Sequence, residues 1–377
     1  MIEDVFVIDG VGHAYDFSPS NRVEGCELDH HRSLAVHSYE IAHAKLESKE
    51  PGYLLTLREF SSRWNPEDLA HAFFVESDVD MMVHHSVQID SYFPEGTPGW
   101  PTGVALKKVA PDRVLLYGCV DPFDQDRERV FAHMERMAAE GAVGFKFYPS
   151  NGFFDKKANR LVSMLYSDPD LAYPFFEKAR ALGIRHVAFH KTMPVGKGPT
   201  TAAHVEDLST AAAIFDDMTF EVVHSGWAFL EECAIQLKLH KNVYANLECT
   251  ANLIVRQPRR FAHILGTLLQ YADVDQILFA SGCAISHVDP ILKAIASFEM
   301  PQDLIDGHDY PAFTPELKRK ILGENMAKLH NINIGEMKKR LQNDEWSQRR
   351  SRGKEKPWSA HRRRVNAPGF QYQGYSA

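Results

Sequence analysis

Apolar residues in this chain fall in short runs, separated by longer stretches in which they recur every three to four positions. The runs at 4–9, 80–87, 114–120, 143–147, 185–189, 219–223, 243–247 and 276–280 are mostly continuous β-branched, aliphatic or aromatic residues. A strand covered on one face alternates apolar with polar residues, whereas a strand buried on both faces does not, so these eight runs predict a parallel sheet. Between them, 125–140, 171–182, 203–216, 229–239, 258–271 and 290–298 have the length and spacing of helices. Several open on Pro or Asp, and two close at Gly141 and Gly183. Eight strands alternating with helices predict an α/β chain folded as a (β/α)8 TIM barrel, with a doubly wound open sheet as the alternative.

Two regions break the alternation. The first is an insertion at 17–74, after strand one, with a helix-like segment at 34–46 and the triplet Asp29-His30-His31. Insertions after barrel strands fall at the C-terminal face, where barrel active sites are built, so this one is expected to cover or shape the site. The spacings of His30, His31, His37 and His43 do not give one helix face, and they read as surface or lid residues. The second region is the extension at 332–377, beyond a barrel spanning 1–331. There Arg349, Arg350, Arg352, Lys354, Lys356, Arg362, Arg363 and Arg364 crowd together on an otherwise acidic chain. The extension reads either as a solvated, partly disordered end or as a clamp for a phosphate-bearing substrate handle or a neighbouring subunit. In the second case Trp346, Trp358, Phe370 and Tyr372 supply packing surfaces.

Composition narrows the function classes. A length of 377 residues with 44% hydrophobic content supports one large core or two small ones. A net charge of -8 gives no basic face for nucleic acid. The five cysteines never form a CxxC pair, which argues against a disulfide framework or zinc ribbon and fits a reducing cytoplasm. No run approaches the roughly 18 apolar residues that span a bilayer, and the opening Met-Ile-Glu-Asp-Val lacks a signal peptide's basic region. A cytoplasmic protein without a nucleic-acid or membrane partner is expected.

The candidate chemistry lies at strand ends. Strand one runs out at His13, strand two at His84-His85, strand five reads His186-Val-Ala-Phe-His190, strand six ends at His224, and strand seven reads Tyr244-Ala-Asn-Leu-Glu248. Alternation places Asn246 with Glu248, and His186 with His190, on shared faces. One such histidine alone reads as a core residue. Their joint placement points to a metal held by His13, His190, His224 and Glu248. Only one of the adjacent His84 and His85 can face inward. Lys146 reads as a group that orients a substrate carboxylate or pairs with an acid, with a carboxylated bridging ligand as the alternative. Tyr148 shares its face and can donate a hydrogen bond, Asn246 and His287 complete the catalytic candidates, and Asp9 reads as a hydrogen-bonding support for His13 or the barrel floor.

The segments "GFKFYPSNGF" (144–153), "AFHKT" (188–192), "VVHSGW" (222–227), "QILFASGC" (276–283) and "ILGENMAKLH" (321–330) occur in the order seen in decarboxylase-like amidohydrolases. The chain resembles that family over roughly 1–331, which implies the barrel and makes His13, His190 and His224 metal ligands or substrate-polarising residues. Two positions depart from the family pattern. Val11 stands where the first histidine of Asp-x-His-x-His is expected, and Gly282 where an aspartate is expected that binds metal and takes a proton from water. Glu248 is then a replacement ligand, and iron suits the rebuilt site, with zinc or manganese also allowed.

A narrower resemblance, to the TIM-barrel non-haem diiron monooxygenases of platensimycin and platencin biosynthesis, implies a monooxygenase that uses dioxygen. Its substrate would be a small organic acid or its coenzyme A thioester in terpenoid or other natural-product metabolism. The tail arginines would then hold the coenzyme's phosphates. Two other readings stay open: a metal-dependent decarboxylase or hydrolase in which Glu248 or His287 does the aspartate's work, and a metal-free binding pseudoenzyme. Barrels of this type often pair, so a homodimer is a further expectation.

Overall fold

In the computed structural model, which describes residues 5–90, 92–155, 160–194, 199–371 and 375, eight parallel strands form one sheet. They are β1 Ile8–Gly12, β2 Met81–His85, β3 Val114–Cys119, β4 Ala142–Phe147, β5 His186–His190, β6 Thr219–Val223, β7 Val243–Asn246 and β8 Ile277–Leu278. Each pairs with the next in chain order, with Phe147 opposite Phe189 and Val223 opposite Asn246. The sheet then closes on itself: the Gly10 N–H donates to the Phe279 carbonyl at 2.9 Å and the Gly282 N–H to the Val11 carbonyl at 3.0 Å. The result is the predicted (β/α)8 barrel. Its apolar residues form two layers, which is why the strands read as unbroken apolar runs. Ile8, Met81, Val83, Ala188, Val223 and Leu278 fill the barrel interior, while Leu116, Phe145, Phe189 and Phe220 pack against the outer helices.

Most strands lie within two residues of the predicted runs. The first is shifted to Ile8–Gly12, a stretch with little apolar character that is held extended by Asp9. The Asp9 Oδ1 accepts the Val11 N–H at 3.1 Å and the Ser281 N–H at 3.0 Å, tying β1 to the segment after β8. Asp9 thus supports the barrel seam, and His13 is held by another group. The helix expected at 203–216 begins only at Leu208–Ile214. Just before it, the Asp207 carboxylate pairs with Lys191 at 2.7 Å and accepts the Tyr166 N–H at 2.7 Å. A hairpin of Ser150–Asp155 and Arg160–Ser163 follows β4, unanticipated from the strand pattern.

The insertion folds as helices Leu28–Ser38, Leu57–Ser61 and Pro66–Phe74, with a π-helical turn at Tyr39–His43. His43 is a buried tie rather than a surface or lid residue: its Nδ1–H donates to the Ile285 carbonyl at 2.7 Å and its Nε2 accepts the Leu55 N–H at 2.8 Å. His31 is likewise buried, against the Tyr375 hydroxyl at 2.6 Å and the Asn21 carbonyl at 3.2 Å. His37 borders a cavity at the barrel mouth. The side chain of His30 lies outside the described residues.

As far as Gln371, the C-terminal extension is folded onto the barrel and insertion, and much of its basic cluster is ion-paired. Its helices Glu345–Ser351 and Ser359–Val365 pack on the insertion, burying Trp346, Trp358, His361 and Val365. His361 stacks on Trp64 with ring centres 3.7 Å apart. The cations meet carboxylates of the same chain: Arg362 with Glu59 at 3.1 Å, Arg364 with Asp68 at 2.7 Å, Arg363 with Glu355 at 2.9 Å, and Lys354 with Asp78 and Asp289 at 2.7 and 2.9 Å. The tail's cations are thus paired with Glu59 and Asp68 of the insertion, with Asp78 and Asp289 of the barrel, and with Glu355 of the tail itself, a pairing that composition alone does not reveal. Tyr372 lies outside the described residues. Among the described residues, no helix is long and apolar enough to cross a membrane.

Burial also sets a pH signature. Burial disfavours the charged ring and holds His43 and His186 down to about 4, and His84 and His330 to about 3. Their folded values lie below the unfolded value of about 6.5, so their stabilisation is complete above that pH and is lost as pH falls toward 4. The loss is about 1.4 kcal/mol per pH unit for each ring. Asp9 and Glu47, pushed up to about 7 and about 8 by burial, are favoured protonated and cost stability as pH rises from the unfolded value of about 4 to those values, more slowly than the four rings gain it below about pH 6.5. The thermal midpoint is therefore expected to be highest at about pH 6.5 and to fall on the acid side. A flat profile from about pH 4 to 6.5 would show that these rings are solvated.

Candidate metal centre

Three imidazoles meet above the barrel, each with one nitrogen fixed by a backbone carbonyl. His13 Nδ1 lies 2.9 Å from the His85 carbonyl, His224 Nδ1 3.1 Å from the Glu248 carbonyl, and His190 Nε2 2.6 Å from the Met193 carbonyl. A carbonyl only accepts, so these nitrogens carry the protons and the tautomers follow from the acceptors. The remaining nitrogens of neutral rings then present lone pairs, those of His13 and His224 toward Glu248 and that of His190 toward His224. His13 Nε2 is 3.1 Å from Glu248 Oε1, His224 Nε2 is 3.6 Å from Glu248 Oε2, and His224 Nε2 is 3.2 Å from His190 Nδ1. Burial holds His224 at about 4 and His190 well below the ordinary imidazole range, so both are neutral at pH 7.

Lone pairs this close repel unless a cation sits among them. Rings whose outer N–H is anchored to a carbonyl are how metal-binding histidines are usually oriented. The donor set fits a divalent ion.

Glu248 reaches this point because Gly282 lacks a side chain. A Cβ on Gly282 would lie 3.0 Å from both Cγ and Oε1 of Glu248. The strand-eight position where the family resemblance expects an aspartate therefore opens onto the space now filled by a strand-seven glutamate. Burial alone would raise the Glu248 carboxyl, but the groups packed around it hold it well below the usual carboxylate range; with the imidazoles neutral, the buried Lys146 ammonium is the positive charge that faces it.

Lys146 is fully buried with its Nζ 3.9 Å from Glu248 Oε2 and, among the described residues, no hydrogen-bond partner. It lies behind the glutamate, in the position of a counter-charge. Asn246 also sits behind the site: its Oδ1 accepts the Glu248 N–H at 3.1 Å and its Nδ2 donates to Glu221 at 3.0 Å. Glu221 in turn accepts the Tyr117 hydroxyl at 2.5 Å. A carboxylate in the middle of "TFEVV" was the sequence signal for this buried support, and it had no assigned role.

The cavity over these donors measures about 140 Å³ and has largely apolar walls: Tyr15, Phe17, Phe93, Val87, Ile89 and Ile285, with Leu34 and Ile41 from the insertion. Tyr148 lines it and stacks on His190 with ring centres 4.8 Å apart. Burial raises its phenol well above the usual value, so it stays protonated.

Between the adjacent histidines, His85 is the inward one, 6.2 Å from His13 and stacked on Tyr117 at 4.6 Å. His84 points to the helix side, where a Cβ on Gly103 would meet its Nδ1 at 2.7 Å. His287, a catalytic candidate from the sequence, is absent from the site. Its Nε2 meets Glu76 at 3.0 Å and its Nδ1 accepts the Asp289 N–H at 3.2 Å, capping the helix Val288–Ser297. The chain after Gly282 turns away from the barrel mouth before it reaches residue 287. Cys249 joins the site without having been anticipated, since alternation places it opposite Glu248.

A sequence model of the amidohydrolase family matches residues 69–332. No curated relative matches the chain. Similar solved structures include an uncharacterised TIM-barrel protein from Bordetella bronchiseptica, with 16% identity and a TM-score of 0.59 over 87% of this chain and 99% of that one. The 5-carboxyvanillate decarboxylase of Sphingomonas paucimobilis matches at 14% identity and a TM-score of 0.53, over 88% and 100% of the two chains. That of Novosphingobium aromaticivorans, with bound manganese and 3-methoxy-4-hydroxy-5-nitrobenzoic acid, matches at 11% and 0.53, over 87% and 97%. At these identities the likeness to the solved structures is one of fold.

Proposed function

Because the chain belongs to the amidohydrolase family, we propose that it is a metal-dependent decarboxylase acting on a carboxylic acid with an apolar, aromatic body. The observation that carries this reading is that the free ring nitrogens of His13 and His224 face the Glu248 carboxylate, with that of His190 beside His224, on the floor of an aromatic-walled cavity. When bound, a divalent ion would supply positive charge for a substrate oxygen and for the electrons left behind as carbon dioxide departs. His13, His190, His224 and Glu248 hold that ion. Tyr148, kept protonated by burial, donates a hydrogen bond to the substrate. Tyr15, Phe17 and Phe93 enclose the substrate's apolar body and exclude water. Gly282 supplies no carboxylate to take a proton from water, which favours loss of carbon dioxide over hydrolysis.

Two of the similar folds belong to decarboxylases, one of them with manganese. Imidazole and carboxylate donors also accept iron or zinc. The oxygenase reading has no counterpart among the similar structures named above, and the arginines it assigned to coenzyme A include those paired with Glu59, Asp68 and Glu355.

Purified protein is expected to contain a stoichiometric divalent metal, to lose thermal stability on chelation, and to release carbon dioxide from substituted benzoates. His13→Ala should lower metal occupancy. Protein that carries no metal, or that behaves identically with and without chelator, would overturn the proposal, and dioxygen consumption without carbon dioxide release would favour the oxygenase.

A further inference from the structure

Cys249 follows Glu248 in the chain, and strand alternation would send the two side chains to opposite faces. The backbone breaks that alternation. Past the end of β7, Cys249 takes a φ of +57°, a left-handed conformation uncommon for a residue with a side chain, and both side chains border the same cavity. One donor atom from each of His224, Glu248 and Cys249 lies within 4.8 Å of the other two. A Cβ on Gly282 would stand 3.0 Å from Glu248 Oε1, a tight contact, and 3.5 Å from Cys249 Sγ, an ordinary one, so the missing side chain clears space for the glutamate with the thiol beside it. Two other buried thiols have partners in the core: Cys119 Sγ accepts the Gln88 N–H at 3.2 Å, and Cys233 donates to Ser225 at 3.3 Å. Cys249 instead faces a carboxylate and an imidazole that already converge.

We propose that Cys249 is a metal ligand, its sulfur joining Glu248 and His224 on the ion. The proposal rests on the metal-centre reading above and adds a sulfur donor to it. As the metal–sulfur bond forms, the thiol S–H breaks and its proton leaves to solvent, so the ion is held by two anionic donors, one oxygen and one sulfur, together with neutral imidazoles. A thiolate favours zinc or iron(II) over manganese, so this centre departs in metal preference from one built of nitrogen and oxygen alone.

Cobalt(II) reports sulfur ligation directly, independently of turnover. Full-length protein freed of metal by chelation is expected to bind one equivalent of cobalt(II), showing visible d–d bands and an intense near-ultraviolet sulfur-to-cobalt charge-transfer band. Cys249→Ser should keep the d–d bands, lose the charge-transfer band and bind zinc at least about tenfold more weakly. The wild-type spectrum needs no variant to fold. One equivalent of cobalt bound without the charge-transfer band, or a band that persists in Cys249→Ser, overturns the sulfur ligand and leaves the metal centre standing. Failure of cobalt and zinc to bind at all overturns both.

Discussion

Glu248→Gln is expected to abolish carbon dioxide release and to weaken divalent-metal binding by more than about 100-fold, since even residues behind a metal ligand affect affinity by about 10- to 100-fold. The amide keeps the size of the carboxylate but removes the charge that His13, His224 and Lys146 all face. The same change has a second consequence, visible without metal. Lys146 is buried and loses its nearest anion, and a buried charge stripped of its partner costs about 3 kcal/mol. Chemical denaturation of metal-free Glu248→Gln should show that loss. Adding Lys146→Met should recover most of it without restoring metal binding, because an apolar side chain of similar length replaces the stranded ammonium. A Glu248→Gln protein with unchanged metal content and turnover would remove the glutamate from the centre.

Trp358→Ala should destabilise the fold by about 3–5 kcal/mol, as large-to-small changes at fully buried aromatics do. The indole sits 4.6 Å from His287 and 5.3 Å from Trp64, its ring N–H donates to the Tyr53 carbonyl, and its backbone N–H donates to Glu76 at 2.7 Å. Glu76 also binds His287 and the Ser359 hydroxyl, so one buried carboxylate joins the tail, the end of the insertion and the segment after β8. Ile285, in that segment, lines the cavity and holds His43 of the insertion. Loosening the tail should therefore raise KM as well as lower the denaturant midpoint. A solvated extension would tolerate the change within about 0.5 kcal/mol, and that result would free the tail of any structural role.

The barrel was legible because two-sided burial leaves a local mark: unbroken apolar runs at regular intervals, each followed by a helix-length segment. The candidate ligands were legible for a related reason. Strands of a barrel end at one face, so His13, His190, His224 and Glu248, each at or just past a strand end, had to share that face whatever the details of packing. What failed were inferences from local chemistry alone. His287 looked available because it follows Gly282 closely, yet it serves as a helix cap bound to Glu76, more than 200 residues away in the chain. The arginine cluster looked unpaired because its carboxylates lie in the insertion and at the barrel rim.

By itself the sequence determined the alternation of strands and helices, the class of fold and which strand ends carry candidate ligands, because alternation and burial act over a few residues. Tertiary structure alone decided that His85 rather than His84 faces inward and that Gly282 vacates the space Glu248 fills. It also decided that Cys249 turns into the site through a left-handed bend and that the tail's cations meet carboxylates of the insertion, the barrel and the tail itself. Each of these depends on groups brought together by closure of the barrel, and no local periodicity records a contact made across hundreds of residues.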